Sequence, residues 1–318
     1  MLNRKLPINI DIPEDFLQEE VRSGYVVSTT YKKIWAVELD LLHEFQRVCD
    51  KYNLRWYADG GTLLGAVRHH GMIPWDDDID IVMMRSEYDK LCCIAMNEFK
   101  YPYFFQTNDT EPSSMRGHAQ LRNSMTTAIL LSEKNLRMPY NQGIFIDIFP
   151  LDNIPREENM LKELTANIEE YKKQAMTYYI WKEAKPNSLY KRLKYRTKFL
   201  LAYFGVIGKY RNYRDSAEKF DKEIIRYNPD ESCDLVSNLS LPPFSTCRIW
   251  KKVWFEDYID MPFEWFKIPV PIGYLELLQT KYGRWEEYVI GTSTHGCILF
   301  DTDNSYKKYI HKKLCRRS

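Results

Sequence analysis

No apolar run in this chain is long enough to cross a bilayer. The longest, FLLAYFGVIG from Phe199 to Gly208, has ten residues, whereas a spanning helix needs about 20. The opening segment MLNRKLPINIDIPEDF has no apolar stretch of the signal-peptide kind. Zinc-ligand spacing is missing too. The seven cysteines, Cys49, Cys92, Cys93, Cys233, Cys247, Cys297 and Cys315, are scattered, and their number is odd. Free thiols in a reducing compartment are the simplest account, so a cytoplasmic protein is expected. Charge of one sign is not in excess. Lys and Arg number 45 against 44 Asp and Glu, which gives no sign of a nucleic-acid partner. Internal repeats and low-complexity segments are also absent.

What is present suits a folded chain with a substantial core: 44% hydrophobic and 28% charged residues over 318 positions. Aromatics reach 14%. That fits carbohydrate or nucleotide stacking, and a large core accounts for it equally well.

Apolar residues at Ile34, Val37, Leu41, Leu42, Phe45 and Val48 predict a helix over Tyr31–Tyr52. LRWYAD reads as a short strand stopped by Gly60 and Gly61, and TLLGAV as a helix beginning on Thr62. DIDIVM alternates as a strand does. SEYDKLCCIAMNEF returns to helical period, with Ser86 as its N-cap. YPYFFQT, HAQLRNS, TTAILL and GIFIDIF are further strands. Alternating helices and short strands up to Pro150 predict an α/β (α+β) core with a mixed sheet. Three regions are expected: a core over 1–155, a basic helical region over 156–230, and a C-terminal region over 231–318 that completes the site. Within the second, Lys182 to Arg214 is strongly basic around an apolar run. Such a segment either rests on an anionic membrane as an interfacial helix or presents a solvated basic face.

The most informative stretch is IPWDDDIDIVM, in which Asp76, Asp77, Asp78 and Asp80 crowd the start of a strand. Two carboxylates about 4 Å apart repel by roughly 4 kcal/mol at an effective dielectric near 20. Residues two apart share a strand face. Asp78 and Asp80 therefore point together, while Ile79 and Ile81 enter the core. Hard oxygen ligands of this kind suit Mg²⁺ or Mn²⁺. Asp76 and Asp77 are expected to shape the entry loop. Two features support a site. In DGGTLLG, Gly60 and Gly61 allow close backbone approach, the following helix N-terminus offers N–H groups to phosphate, and Thr62 adds a hydroxyl. In GIFIDIFPLD, Asp147 interrupts an apolar strand, which is costly unless the carboxylate is paired or bound to metal. If that strand lies beside Asp78 and Asp80, three carboxylates converge. A salt bridge or strand-end hydrogen bond is the plainer account of Asp147.

The ordered set of Gly-Gly, Asp-x-Asp and a third Asp is similar to the nucleotidyltransferase superfamily. More narrowly, DGGTLLGAVRHHGMIPWDDDIDIVMMRSEYDKL with GIFIDIFPLDNIP resembles the LicD family of phosphotransferases, over about Lys33 to Pro155, with a weaker echo in MPFEWFKIPVPIGYLELLQTKYG. The resemblance implies a nucleotidyltransferase-like fold. It also implies Mg²⁺ or Mn²⁺ on Asp78, Asp80 and Asp147, with Asp147 taking a proton as a catalytic carboxylate. Gly60 and Gly61 match the phosphate-cradling glycines. Arg68 matches a family arginine and would neutralise a phosphate, or else serve a surface salt bridge. His69 adjoins it, as a ligand contact or as packing. Gln106 and Arg122, polar residues on strands, are candidate substrate contacts or strand-edge hydrogen bonders. His295 stands where many members carry a histidine. The chain departs from the family there, reading YGRWEEYVIGTSTHG where members often show YGDYM followed by PP.

The implied activity is transfer of a substituted phosphate, phosphocholine or similar, from a CDP-linked alcohol donor to a hydroxyl of a glycan or lipid-linked glycan acceptor. Two rivals stand beside it. One is an NTP-dependent nucleotidyltransferase that releases pyrophosphate. The other is a non-catalytic glycan-binding module.

Overall fold

A computed structural model describes residues 6–207, 213–241, 244–291 and 297–311. The helical spacing after Ser28 folds as α1 (Thr29–Tyr52). The Ser28 hydroxyl caps its start, and Asn53 in the left-handed region ends it. From Ile34 to Leu42 every residue of α1 is buried. That stretch is enclosed, while His43, Arg47 and Asp50 further along the helix are exposed. Asp40 is buried with it and accepts hydrogen bonds from the Asn9 and Ile10 N–H groups and the Tyr103 hydroxyl.

A seven-stranded mixed sheet carries the core. Its centre is β8 (Ile144–Ile154). On one side β8 runs parallel to β4 (Asp80–Met84), which pairs in turn with β3 (Tyr57–Ala58). It also pairs antiparallel with β6 (Ala119–Asn123), and β6 with β5 (Tyr103–Gln106). The mixed sheet expected from the sequence is thus present. Ile144, Ile146 and Ile148 of β8 and Ile79, Ile81 and Met83 around β4 are fully buried. Alternation then turns Asp147 and Asp80 the other way. Two short hairpins, β1 (Glu20–Arg22) with β2 (Tyr25–Val27) and β11 (Tyr258–Phe263) with β12 (Phe266–Pro271), lie outside this sheet, as does β7 (Thr127–Leu130) paired with β13 (Ile298–Asp301).

Two helix starts differ from expectation. The helix α2 (Gly60–His69) begins at the glycines, with Asp59 at its N-cap position. Thr62 is therefore inside the first turn. The helix α3 (Arg85–Glu98) follows β4 without a break, so Ser86 lies within it and does not cap it. Before α3 the strand hands the chain directly to the helix, and before α2 Asp59 alone separates strand from helix.

After Pro155 come α4 (Glu158–Glu183), α5 (Leu189–Tyr203) and α6 (Tyr213–Ile224). Leu164, Ile168 and Ala175 of α4 pack with Phe220 and Ile224 of α6, and with Met115 and Leu239 from outside the helical region. No helix among the described residues is long and apolar enough to cross a membrane.

The last region joins the first in a shared core. The strand β9 (Leu235–Ser237) pairs with Asp152–Ile154 of β8, and β10 (Trp250–Lys251) extends that edge. Phe263, Ile268, Leu277 and Leu278 pack in one cluster with α1, β3 and β4. The helix α7 (Tyr274–Tyr282) ends at Gly283, as expected, with φ of 63°. A short α8 (Lys307–His311) follows β13.

One ion pair ties three parts of the chain. Arg85 donates to both oxygens of Asp152, at 2.7 and 2.8 Å, and Asn228 donates to the same carboxylate at 2.7 Å. The Asp152 side chain is fully buried. Asp152→Ala would leave the Arg85 charge only the more distant, exposed Asp89 at 3.5 Å, and denaturant unfolding should show a loss of about 3 kcal/mol.

Candidate active site

Strand register assembles the site. Asp80 of β4 lies opposite Asp147 of β8, Asp147 opposite Gln120 of β6, and Gln120 opposite Gln106 of β5. On the other flank the Asp59 N–H donates to the Asp80 carbonyl at 3.0 Å. Cross-strand partners present their side chains to the same face. One row of the sheet therefore reads Asp59, Asp80, Asp147, Gln120, Gln106.

From this row Asp80 reaches a cleft of about 530 Å³, which Asp59 and Asp147 flank without lining. Gly60, Gly61, Asp76, Asp78 and Asp80 line one side, and Lys281, Tyr282 and Trp285 from the C-terminal region line another. Asp76 shares the cleft with Asp78 and Asp80, which corrects the expectation that it only shapes the entry loop. Asp77 is not among the lining residues, and both it and Asp78 precede the first strand residue, Asp80. The Trp35 indole N–H donates to the Asp76 carbonyl at 2.9 Å and fixes the acidic loop on α1.

The electrostatics follow from crowding. Burial, then the charges of Asp78, Asp147 and Asp59, holds the Asp80 carboxyl well above the usual carboxylate range. Burial and Asp78 push Asp76 up to about 8. Glu38 on α1, buried beside the same loop, is raised strongly by burial and by Asp77, Asp78 and Asp76, and its Oε2 has no hydrogen-bond partner. Asp147 behaves differently. Burial raises it, but His118 and Gln120 outweigh that and hold it below its ordinary value. Gln120 Nε2 donates to Asp147 Oδ1 at 2.6 Å, and His118 Nε2 lies 3.0 Å from the same oxygen. The buried His118 ring has its own pKa depressed by desolvation, against the raising effect of Asp147.

Several residues expected at a ligand sit elsewhere. Thr62 is buried, and its Oγ1 accepts from the Asp80 N–H at 2.8 Å. It positions the strand and does not reach the cleft. Gln106 and Arg122 are also buried, each 1% exposed. Arg122 donates to Gln106 Oε1 and the Gly143 carbonyl, both at 2.7 Å, and to Gln120 Oε1. Arg122 and Gln106 thus brace the Gln120 amide that holds Asp147 and are shielded from any substrate. Arg68 does line the cleft, but its Nη1 donates to the Trp285 and Glu287 carbonyls at 2.8 Å. It pins the C-terminal loop over the site. His69 packs edge-on to Trp75 and Tyr288, and its buried Nε2 has no partner. His295 lies outside the described residues.

The two glycines are needed for a reason the sequence does not display. A Cβ on Gly60 would lie 2.6 Å from Asp80 Oδ2, and one on Gly61 2.2 Å from Asp76 Oδ2. Carboxylates lie against the start of α2, at the end of the helix dipole that favours negative charge. The sequence also missed Asp59, His118, Gln120 and Lys281. His118 and Gln120 are two apart in HAQLR, a same-face pair that strand parity could have shown. Lys281 pairs with Asp59 across the cleft, and its ammonium lies 4.5 Å from the centre of the Trp250 ring.

No three His, Cys, Asp or Glu side chains are drawn together as a metal-binding group among the described residues. The chemistry of the donors nevertheless fits a hard cation. They are all carboxylate oxygens, Asp76 and Asp80 are raised by burial and then by neighbouring carboxylates, and a buried Glu38 oxygen beside them is unpartnered.

The site is an acidic cleft on a mixed sheet, bordered by a helix that starts at two glycines. Residues 53–182 match the family described as LicD/FKTN/FKRP, nucleotidyltransferase domain. The lipopolysaccharide cholinephosphotransferase LicD of Haemophilus influenzae is 28% identical over 262 residues, 80% of this chain and 91% of that protein. An uncharacterised protein of Rickettsia prowazekii is 28% identical over 182 residues, 51% of this chain and 64% of that one. Over residues 53–182 the chain is thus similar to the LicD family, and over most of its length to the Haemophilus protein.

Two outcomes are expected at the site. Gly60 has φ of 53° and Asp80 against it. Gly60→Ala should therefore cost about 1–3 kcal/mol in chemical unfolding. His69, lowered to about 4 by burial and then by Arg68, takes up its proton later than the unfolded chain does. It contributes full stability above its ordinary 6.5 and loses it as pH falls toward 4. His69→Phe should flatten that part of the thermal midpoint against pH curve relative to the parent.

Proposed function

We propose that this chain transfers a substituted phosphate, phosphocholine or a close analogue, from a CDP-linked alcohol to a hydroxyl of a cell-surface glycan precursor. The observation that carries the reading is that Asp80, the register partner of Asp147, lines one cleft together with Asp76 and Asp78. The relative that acts as a lipopolysaccharide cholinephosphotransferase supports the donor group and the acceptor class. Trp75, Tyr282 and Trp285 also line the cleft, and aromatic faces suit a quaternary ammonium such as choline.

Asp78 and Asp80, with Asp147 beside them, would hold Mg²⁺ or Mn²⁺. When bound, the ion would offset the carboxylate charge, polarise phosphoryl oxygens and stabilise charge on the leaving group. The chain's own residues do the rest. Asp147, kept ionised by Gln120 and His118, accepts the proton of the attacking hydroxyl. The acceptor oxygen forms its bond to the distal phosphorus of the donor as the bond to CMP breaks. Lys281 pairs with Asp59 and offsets part of that carboxylate's charge beside the cleft. Arg68 and Trp285 close the cleft from the C-terminal side.

The test is release of CMP from CDP-choline and related CDP-alcohols with Mg²⁺, with and without glycan acceptors, alongside release of pyrophosphate from NTPs. CMP release is expected, reduced by about 10²–10⁴-fold in Asp147→Asn. In Asp80→Asn, release should be lost together with the rise in thermal midpoint that Mg²⁺ gives the parent. Pyrophosphate from an NTP would establish a nucleotidyltransferase instead, and no product from either class would point to a binding module.

A further inference from the structure

The helical region carries a surface that the cleft chemistry does not use. The helix α5 rests on α4 through Tyr195, Phe199 and Ala202, which pack with Tyr178 and Trp181. Its opposite side is open. Leu189 is 79% exposed, Leu193 67%, and Phe204, just past the helix end, 74%. With Leu200 they fall at i, i+4, i+11 and i+15, a single line at 3.6 residues per turn. Tyr190 and Leu201, also exposed, widen the stripe. An aligned apolar surface of this kind marks an interaction site, since scattered exposure would show no such line.

The same helical geometry puts Lys194 and Lys198 along one edge of the stripe and Arg192 and Arg196 along the other. From Ala184 to Arg214 the sequence contains no Asp or Glu. At the start of α5 a second cleft, of about 310 Å³, is lined by Arg137, Lys185, Arg192 and Lys307, with no carboxylate among its described lining residues. Cations on both long edges of an apolar stripe match one surface above others. The headgroup plane of an anionic bilayer meets an interfacial helix along both edges while the acyl boundary receives its apolar face. The lysine and arginine stems bury against the same boundary with their charged ends in the headgroups.

We infer that α5 docks this protein on an anionic phospholipid bilayer, its apolar stripe entering the headgroup boundary and the cationic cleft at its start receiving a lipid phosphate. The docked surface is separate from the acidic cleft, so its test needs no substrate.

The experiment is co-sedimentation of the full chain with phosphatidylcholine vesicles, with and without about 30 mol% phosphatidylglycerol. Binding is expected only on the mixed vesicles, weakening more than about tenfold as salt rises from about 0.1 to about 0.5 M. Three variants should each weaken it by more than about tenfold while keeping the parent's circular dichroism: Leu189→Ser/Leu193→Ser/Phe204→Ser, Lys194→Glu/Arg196→Glu, and Lys185→Glu/Lys307→Glu. Should the first fail to fold, the two charge variants carry the test alone. Equal binding to pure phosphatidylcholine, insensitivity to salt, or folded charge variants that bind like the parent would overturn the inference. So would a parent that ignores vesicles and forms a dimer broken by the serine variant, which would make the stripe a contact between two copies of the chain.

Discussion

Two carboxylates held side by side are the constraint around which this molecule is arranged. Asp80 and Asp147 are register partners on adjacent parallel strands, and a sheet offers no freedom to slide one away without flipping every core residue of the strand. Like charges so placed are destabilising by themselves. The surrounding structure divides the problem. Asp147 receives donors from Gln120 and His118 and stays ionised, whereas Asp80 receives no such help and is driven toward its protonated form. Two chemically identical groups in one row are thereby given different proton affinities. That is the usual basis for assigning different roles to paired carboxylates.

The support for Asp147 extends away from the cleft through buried polar groups. Arg122 holds the Gln120 oxygen, freeing its amide nitrogen for Asp147, and also grips Gln106 and the Gly143 carbonyl. A guanidinium so completely enclosed is held only at a cost: burial lowers its pKa to about 9. Its retention at the back of the site is accounted for by the orientation it imposes on Gln120. The acidic side is braced in the same manner. Thr62 fixes the backbone of Asp80, and Trp35 fixes the loop of Asp76.

The cleft is completed by residues far apart in the chain. Its acidic floor comes from residues 60–80, and its opposite wall from residues 281–291. The two are joined by Lys281 with Asp59 and by Arg68 with the Trp285 and Glu287 carbonyls. A shared core makes that closure rigid, since α7 and the β11–β12 hairpin pack in the same cluster as α1 and β4. The helical region between them packs separately around α4 and α6, which leaves α5 free to present its outer face.

Local pattern was enough to expose much of this. The alternation in DIDIVM, the helical period over Tyr31–Tyr52, the mixed sheet and the crowding of Asp76 to Asp80 are properties of short segments, because strand and helix periods act over a few residues. The lone Asp147 in an apolar strand announced itself for the same reason. Long-range pairing could not be read this way. That Gln106 and Arg122 stand behind Asp147, that Thr62 serves the Asp80 backbone, and that Gly60 and Gly61 make room for carboxylates all depend on which strands become neighbours and in what register. The sequence by itself determined the carboxylates and the strand faces they occupy. Only the tertiary structure decided which of them meet, because register is set by the packing of the whole sheet and no single strand encodes it.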